Sequence, residues 1–102
     1  MRESEFQAKL IKRIRKEIDG SIVLKNDANY IQGIPDLIVI HGATCACLEC
    51  KRKRGASRRP NQSYYISKIK KDGGFAEFIS PENEDAVVKS MTKYFSKRRN
   101  GE

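Results

Sequence analysis

The sequence predicts a single mixed α/β domain in which helices pack on the faces of one sheet. Apolar residues recur at helical spacing near both ends of the chain, and short apolar runs typical of strands lie between them. Glycine or proline separates most of these segments. The chain has 102 residues and is 38% hydrophobic and 33% charged, which suits one small domain with a limited core. A limited core leaves room for a dimer that buries further surface.

The first predicted element is an amphipathic helix over residues 3 to 18, which ends at Gly20. A short strand over residues 21–25 and a polar loop over 26–34 follow it. The apolar stripe of the helix has one member at every fourth position, namely Phe6, Leu10, Ile14 and Ile18.

A hairpin is predicted next. The continuous apolar run 37–40 indicates a strand covered on both faces. Gly42 and Ala43 are a candidate two-residue turn with glycine first, and residues 44–52 return as the second strand. If these two residues are the whole turn, Asp36 faces Glu49 across the pair.

A basic loop, a helix, a strand and a last helix complete the predicted order of helix, three strands, helix, strand, helix. Pro60 suits the first turn of the middle helix, and Ser80 is expected to cap the last helix with Pro81 in its first position. The predicted ranges are 52–61 for the loop, 60 to about 71 for the helix, 75–79 for the strand, and a frayed tail from about 97.

The charge of the chain indicates a polyanionic partner. Lysine and arginine number 21 against 13 acidic residues, a formal charge of +8, and nucleic acid is the usual partner of such a protein. A membrane surface is the weaker alternative, because the basic residues are not gathered on one amphipathic helix. No apolar run approaches the ~20 residues that span a bilayer, and the start MRESEFQ is too charged for a signal peptide. We therefore expect an intracellular protein without a membrane partner.

The hairpin places charged residues on one face of the sheet. Side chains alternate along a strand, so Asp36, Glu49 and Lys51 share a face. Two facing carboxylates repel, which raises the pKa of one of them, and a divalent cation removes the conflict. Mg²⁺ is often held by one or two carboxylates together with phosphate, and Lys51 would orient a nucleophile or offset phosphate charge there. The alternative is that Glu49 and Lys51 form a solvated pair on an outward face and that Asp36 is only a turn acid after Pro35.

The cysteines allow a second interpretation, a tetrahedral zinc site with His41. Cys45 and Cys47 point to one face, however, whereas Cys50 points to the other and His41 faces the turn. We therefore expect no zinc, no disulfide framework, and buried cysteines that pack as small hydrophobic residues.

Pro35-Asp36 followed by Glu49-Cys50-Lys51 is the pattern of the PD-(D/E)XK nucleases. The chain most closely resembles the virus-type replication-repair nuclease (VRR-NUC) domain in its stand-alone, phage-type form, over about residues 3 to 88. The matching stretches are ESEFQAKLIKRI, GIPDLIVI, LECKR and PNQSYYISKIKKDGGFAEFI. The resemblance implies a restriction-endonuclease-like core in the order αβββαβ with a C-terminal helix and a mixed central sheet.

The resemblance also implies a site for Mg²⁺ or Mn²⁺. Asp36, Glu49 and the backbone oxygen of Cys50 match the metal ligands of the family. Lys51 matches its catalytic lysine. Gln62 matches a glutamine on the helix after the hairpin, where it would position water or phosphate.

A further acid of the metal shell lies on the first helix in this family. Glu3 is the match, because Glu3 and Gln7 are neighbours on one helix face at the family's spacing. Glu5 is the alternative. Either residue could instead be an ordinary helix-start acid favoured by the macrodipole.

The segment KRKRGASRR carries six positive charges and no acid, which favours a path for DNA phosphates over a merely solvated loop. An exposed tyrosine of the next helix would stack on bases. The predicted nucleic-acid contacts are Lys25, Asn26, Arg52, Lys53, Arg54, Arg58, Arg59 and Tyr64.

Together these features predict a metal-dependent, structure-specific DNA endonuclease. The resemblance implies a Holliday-junction-resolvase-like homodimer that leaves 5′-phosphate and 3′-hydroxyl ends, in the cytoplasm of a bacterial or phage-infected cell. A dimer would supply the second active site by two-fold symmetry, with the first and last helices as the expected interface. The alternatives are a non-catalytic nucleic-acid-binding module with a nuclease fold and a restriction-type endonuclease that reads sequence.

Overall fold

The computed structural model describes residues 1–27, 31–57 and 60–99, without the side chain of Arg99. The predicted order of the elements is confirmed. The elements are α1 (Glu3–Glu17), β1 (Ile22–Lys25), β2 (Leu37–His41), β3 (Thr44–Cys50), α2 (Pro60–Lys71), β4 (Phe75–Ile79) and α3 (Glu84–Arg99).

The four strands form one mixed sheet in the order β1-β2-β3-β4. The first three strands pair antiparallel, whereas β4 pairs parallel to β3. A parallel neighbour requires a crossover connection, and α2 lies in that connection. The crossover therefore places α2 beside the end of β3, where the predicted acids and lysine lie.

The β2–β3 hairpin has the predicted register. His41 pairs with Thr44, and Ile38 pairs with Cys47. Gly42 has a φ of 62°, a left-handed conformation that suits the first position of a tight hairpin turn. Because side chains alternate along strands, this register decides which residues share a face of the sheet.

One face of the sheet carries the main core. Helix α1 packs over β1 and β3, and α3 packs over β3 and β4. The inward side chains of β2 and β3 are wholly buried beneath these helices. They are Leu37, Val39, Ala46, Leu48 and Cys50.

The other face is only partly covered. Helix α2 packs on β4 and β3. On the far strands Ile22 is 57% exposed and Leu24 is 46% exposed, while Ile38 and Ile40 are half-buried. The expectation that the run 37–40 is covered on both faces was therefore wrong for this side, because the crossover helix stands over the opposite half of the sheet.

The cysteines differ in burial. Cys50 is buried, Cys47 is half-buried and Cys45 is exposed, and all three are free thiols. The expectation of buried cysteines holds for Cys50 and was wrong for Cys45, because Cys45 lies on the partly covered face.

The last helix begins later than predicted. Residues 81–83 form a turn and α3 starts at Glu84, so Ser80 does not cap it. Asn83 stands before the helix, and its carbonyl accepts the N–H of Val87. The side-chain oxygen of Asn83 accepts the Ser80 N–H at 2.8 Å, and its amide donates to the carbonyl of Phe78 at 3.1 Å. Asn83 thus joins the end of β4 to the start of α3.

The last helix also continues past the expected start of the frayed tail near residue 97. Arg98 donates to the carbonyl of Gly73 at 3.0 Å, and its guanidinium lies 5.1 Å from the centroid of the Tyr94 ring. These contacts stabilise the final turn. The remaining tail, residues 100–102, lies outside the described residues. No helix within the described ranges is long and apolar enough to cross a membrane.

Candidate active site

Asp36 lies immediately before β2, and two neighbouring segments fix its position. Its Oδ2 accepts the backbone N–H of Cys50 at 2.8 Å, so the carboxylate reaches across the open end of the hairpin. Its own carbonyl accepts the N–H of Asn26 at 2.8 Å. The side-chain amide of Asn26 donates to the carbonyl of Pro35. Asn26 and Asp36 thus continue the β1–β2 register by one position.

Glu49 is buried near the end of β3, with 2% of its surface exposed. Its Oε2 accepts the side-chain N–H of Gln62 at 2.9 Å, whereas its Oε1 has no hydrogen-bond partner in the described part of the chain. Burial raises the pKa of Glu49 to about 8, and repulsion by Asp36 adds to the rise, which Lys51 partly offsets. This repulsion shows that the two acids are close neighbours.

Lys51 follows β3 and extends its pairing by one residue, because its backbone N–H donates to the carbonyl of Ile79 at 2.8 Å. Its ammonium donates to Oε1 of Gln62 at 2.7 Å and to the carbonyl of Ser57 at 3.0 Å. The same ammonium lies 6.0 Å from the centroid of the Phe78 ring. The Lys51 side chain is therefore held in one place before any substrate binds.

Gln62 lies in the first turn of α2 and links Glu49 to Lys51. Its amide nitrogen donates to Glu49 and its amide oxygen accepts from Lys51. A carboxylate accepts hydrogen bonds and an ammonium only donates them, so these two neighbours determine which way the amide points. The resemblance placed Gln62 near the site, and the structure places it between the two charged groups.

Cys50 and α1 support the site from the opposite face of the sheet. Burial raises the pKa of the Cys50 thiol to about 12, with a further rise from Asp36. The side chain of Gln7 hydrogen-bonds this thiol and lowers its pKa in part. Glu3 is exposed, and its charge contributes to the raised pKa values of both Glu49 and Cys50. The metal-shell role of Glu3 and the ligand role of the Cys50 carbonyl stay predictions.

A basic cleft of about 360 Å³ opens beside the site. Lys51, Lys53 and Arg54 line it together with Phe78 and Ser80. The segment after β3 and the turn before α3 meet here, because the backbone N–H of Arg54 donates to the Glu82 carboxylate at 3.1 Å.

Apart from Lys53 and Arg54, which line this cleft, the predicted nucleic-acid contacts fall into four groups. Arg52 is exposed beyond the end of β3, and Lys25 is exposed at the end of β1. Asn26 is half-buried and holds the carbonyl of Pro35, so its observed contact is with the Asp36 segment. Tyr64 is 59% exposed and packs edge-to-face with Tyr65 at 5.2 Å between centroids. Arg58 and Arg59 lie outside the described residues.

Sequence reasoning missed two supporting contacts. The first is the hydrogen bond from the Asn26 side chain to the Pro35 carbonyl. It follows from the β1–β2 register, which the pattern of so short a first strand does not fix. The contact of Gln7 with Cys50 joins a helix to a strand more than 40 residues away, and no local pattern in the sequence signals it.

The donor set fits a hard divalent cation. Within residues 1–27, 31–57 and 60–99, no group of three or more His, Cys, Asp or Glu side chains is arranged to hold a metal. Mg²⁺ needs fewer, because it retains several waters and is often bound by one or two carboxylates with phosphate. Within the described part of the chain Oε1 of Glu49 has no partner, and Asp36 repels this acid; a cation would relieve both costs.

The fold and site define an α/β domain with a pair of acids and a lysine at the open end of a central hairpin. Two solved structures share this fold. One, a VRR_NUC domain, has a TM-score of 0.69 at 23% identity, over 85% of this chain and 94% of that chain. The other, a VRR_NUC domain protein, has a TM-score of 0.70 at 19% identity, over 94% of this chain and 89% of that chain.

The protein therefore has the fold of the VRR_NUC domain, and the predicted resemblance is confirmed at the level of the fold. The sequence matches no family model, and no curated protein matches it.

Proposed function

We propose that this protein is a metal-dependent, structure-specific DNA endonuclease that hydrolyses phosphodiester bonds and acts on branched DNA as a Holliday-junction resolvase does. One observation carries the proposal. A buried Glu49, one oxygen of which has no hydrogen-bond partner among the described residues, lies beside Asp36, and Gln62 joins it to Lys51. Carboxylates that hold a cation next to a fixed ammonium are suited to phosphoryl chemistry.

Asp36 and Glu49 would hold Mg²⁺ or Mn²⁺, with Glu3 and the backbone oxygen of Cys50 completing the shell. When bound, the cation neutralises phosphate charge and makes a water molecule a better nucleophile. The hydrogen bond from the Cys50 N–H orients Asp36 in advance, which avoids part of the entropy cost of assembling the site.

Lys51 supports the reaction from the other side. Its ammonium is held by Gln62 and by the carbonyl of Ser57, so it can donate to a phosphate oxygen with little rearrangement. Such a preorganised donor acts on the charge that develops in the transition state. Water adds to phosphorus, and the bond to the 3′ oxygen breaks to leave a 5′-phosphate and a 3′-hydroxyl.

DNA would approach along the basic cleft. Lys53 and Arg54 line this cleft, and Arg52 is exposed next to them. Contacts of this kind go to phosphates and position the substrate without reading sequence. Arg58, Arg59 and Lys25 would extend the path, Asn26 would contact phosphate at its edge, and Tyr64 would stack on an unpaired base near a branch point.

Symmetric cleavage of a four-way junction needs two active sites. Each chain has one pair of acids at the hairpin, so we propose that the protein works as a homodimer whose second site comes from two-fold symmetry.

A cleavage assay on a panel of labelled DNAs tests the proposal. Four-way junctions, flaps, nicked duplexes and linear duplexes are incubated with the purified protein in Mg²⁺ or Mn²⁺. We expect cleavage of branched DNA that is lost in Asp36→Asn and Lys51→Ala. DNA binding without cleavage would instead identify a non-catalytic module, and discrete fragments from long linear duplex would identify a restriction-type enzyme.

A further inference from the structure

Gly33 lies in the loop between β1 and β2 and touches the first turn of α2. A Cβ atom placed on Gly33 would lie 2.3 Å from the Cβ of Asn61, 2.8 Å from its carbonyl carbon and 3.1 Å from its Cα. Carbon atoms that are not bonded to each other pack at about 3.5–4.0 Å, so no side chain fits between the two backbones. Only glycine lets the loop and the helix approach this closely.

This close approach restricts position 33 more than the turn conformation does. Gly33 has a φ of 87°, a left-handed conformation that asparagine and aspartate also adopt. Gly20 has a similar φ of 81°, but a Cβ atom placed there would meet nothing within 4 Å. Both glycines therefore suit a turn, whereas Gly33 also makes room for a helix.

The contact falls at the part of α2 that carries Gln62. Asn61 immediately precedes Gln62, whose side chain lies 2.9 Å from the Glu49 carboxylate and 2.7 Å from the Lys51 ammonium. Residues 60–63 include no buried side chain, and the buried residue of the helix, Ile66, comes one turn later. The position of the first turn therefore depends on its polar contacts and on the loop that packs against it.

The contact also closes a ring of three chain segments around the acids. The loop is joined to the end of β3, because Asp36 accepts the backbone N–H of Cys50. The end of β3 is joined to α2, because Glu49 accepts the side-chain amide of Gln62. Gly33, three residues before Asp36, joins α2 back to the loop. A change in one of these three contacts therefore alters the geometry of the other two.

We infer that Gly33 is a positioning residue for Gln62, because its missing side chain lets the loop of Asp36 pack directly on the first turn of α2. A methyl group at position 33 would force a displacement of about 1 Å before the closest carbon atoms reach van der Waals contact. Hydrogen bonds form over a narrower range, about 2.7–3.2 Å, so a displacement of this size breaks the bridge that Gln62 makes. The contribution of this bridge to cleavage rests on the proposed nuclease function, whereas the position of the amide does not.

Nuclear magnetic resonance of the metal-free protein tests the position of the amide. The side-chain amide signals of Gln62 are identified in nitrogen–proton correlation spectra by their absence from Gln62→Ala. In Gly33→Ala we expect them to move to the positions of a solvent-exposed glutamine. Gly20→Ala carries a similar backbone strain in open space, so its Gln62 signals should stay in place. Signals that keep their wild-type positions in Gly33→Ala would overturn the inference.

Gly33→Asn distinguishes the close contact from the needs of the turn. Asparagine tolerates the left-handed conformation but carries a Cβ atom, so it satisfies the turn and still collides with Asn61. We expect the Gln62 signals to move as they do in Gly33→Ala. Wild-type positions in Gly33→Asn would show that glycine serves only the turn.

Asn61→Gly removes the nearest colliding atom and serves as the rescue. Combined with Gly33→Ala, it should restore in part whatever that variant has lost, including the fold itself if Gly33→Ala does not fold. Asn61→Gly alone should leave the Gln62 signals at their wild-type positions. A combined variant that is no better than Gly33→Ala would refute the inference, because the collision would not be the cause of the loss.

Cleavage of a four-way junction links the contact to the proposed reaction. A misplacement of about 1 Å can lower a rate about 100-fold, so Gly33→Ala should cut about 100-fold more slowly than the wild type and Gly20→Ala. Gly33→Ala/Gln62→Ala should cut no more slowly than Gln62→Ala, since the two changes disturb one bridge. Losses that multiply would contradict the positioning role. A wild type that cuts no DNA refutes the nuclease, and the Gln62 signals then decide the positioning role by themselves.

Discussion

Gln62 on the crossover helix donates its side-chain amide to the buried carboxylate of Glu49 across 2.9 Å. This contact satisfies one oxygen of an acid whose other oxygen has no partner among the described residues.

Removing the amide should destabilise the metal-free protein. In Gln62→Ala the Oε2 of buried Glu49 loses its partner, as Oε1 already lacks one among the described residues, and an unsatisfied buried polar group costs about 1–3 kcal/mol. Urea denaturation with a chelator present measures the free energy of unfolding. The control Ser67→Ala changes an exposed position of the same helix and should leave stability within about 0.5 kcal/mol. Equal stability of Gln62→Ala and the wild type would show that the contact contributes nothing.

The stability of the metal-free protein should fall as the pH rises. Folding raises the pKa of Glu49 from 4.5 to about 8, so the folded state favours the protonated acid. This stabilising preference is complete below pH 4.5 and is lost progressively as the pH rises to about 8. Thermal melts in a chelator should therefore show a fall across this window that is smaller in Glu49→Gln. Identical pH profiles for the two proteins would contradict the prediction.

Divalent cations should stabilise the folded protein through the two acids. A ligand at about 100 times its Kd adds about 2.7 kcal/mol of stability. Mg²⁺ or Mn²⁺ should therefore raise the Tm of the wild type but not of Asp36→Asn, whose amide oxygen can still accept the Cys50 N–H. The control Asp19→Asn changes an exposed acid and should retain the full shift. A shift in Asp36→Asn equal to that of the wild type would place the metal elsewhere.

Asn26 should act as a positioning residue for Asp36. Asn26→Ala removes the hydrogen bond to the carbonyl of Pro35, at a cost of about 1 kcal/mol, and loosens the segment that carries the acid. Asn26→Asp should destabilise this segment at least as much, because a carboxylate cannot donate a hydrogen bond to the Pro35 carbonyl. Calorimetric titration with Mn²⁺ should show weaker binding in both variants. Lys25→Ala, at the adjacent exposed position, should weaken DNA binding alone, and unchanged Mn²⁺ affinity in Asn26→Ala would refute the positioning role.

The basic cleft should determine how DNA affinity depends on salt. Each lysine or arginine that contacts a phosphate adds about one to the slope of log K against log salt. Lys53→Ala and Arg54→Ala should each lower that slope by about one, measured by fluorescence anisotropy on a branched duplex in a chelator. Lys89→Ala removes an exposed charge from α3 and serves as the control. An equal decrease of the slope in Lys89→Ala would indicate that the slope depends on overall charge and not on contacts in the cleft.

Much of the hairpin could be predicted from the sequence. The alternation of side chains and a glycine-first turn are local properties, and they led to the observed pairing of Ile38 with Cys47 and to the proximity of Asp36 and Glu49. The start of α3 could not be predicted in this way. Ser80 and Asn83 are both good capping residues, and the contact of Asn83 with the Phe78 carbonyl decides between them only after β4 has joined the sheet.

The order of the elements, the hairpin register and the placement of two acids and a lysine at its open end could all be read from the residues, because they depend on contacts between residues close in the chain. The tertiary structure alone decided that Gln62 joins Glu49 to Lys51, that Glu49 is buried, and that one half of the sheet lacks a cover. All three follow from where the crossover places α2. A connection between parallel strands can be recognised in a sequence, but the half of the sheet on which its helix packs is fixed only by the packing of the whole domain.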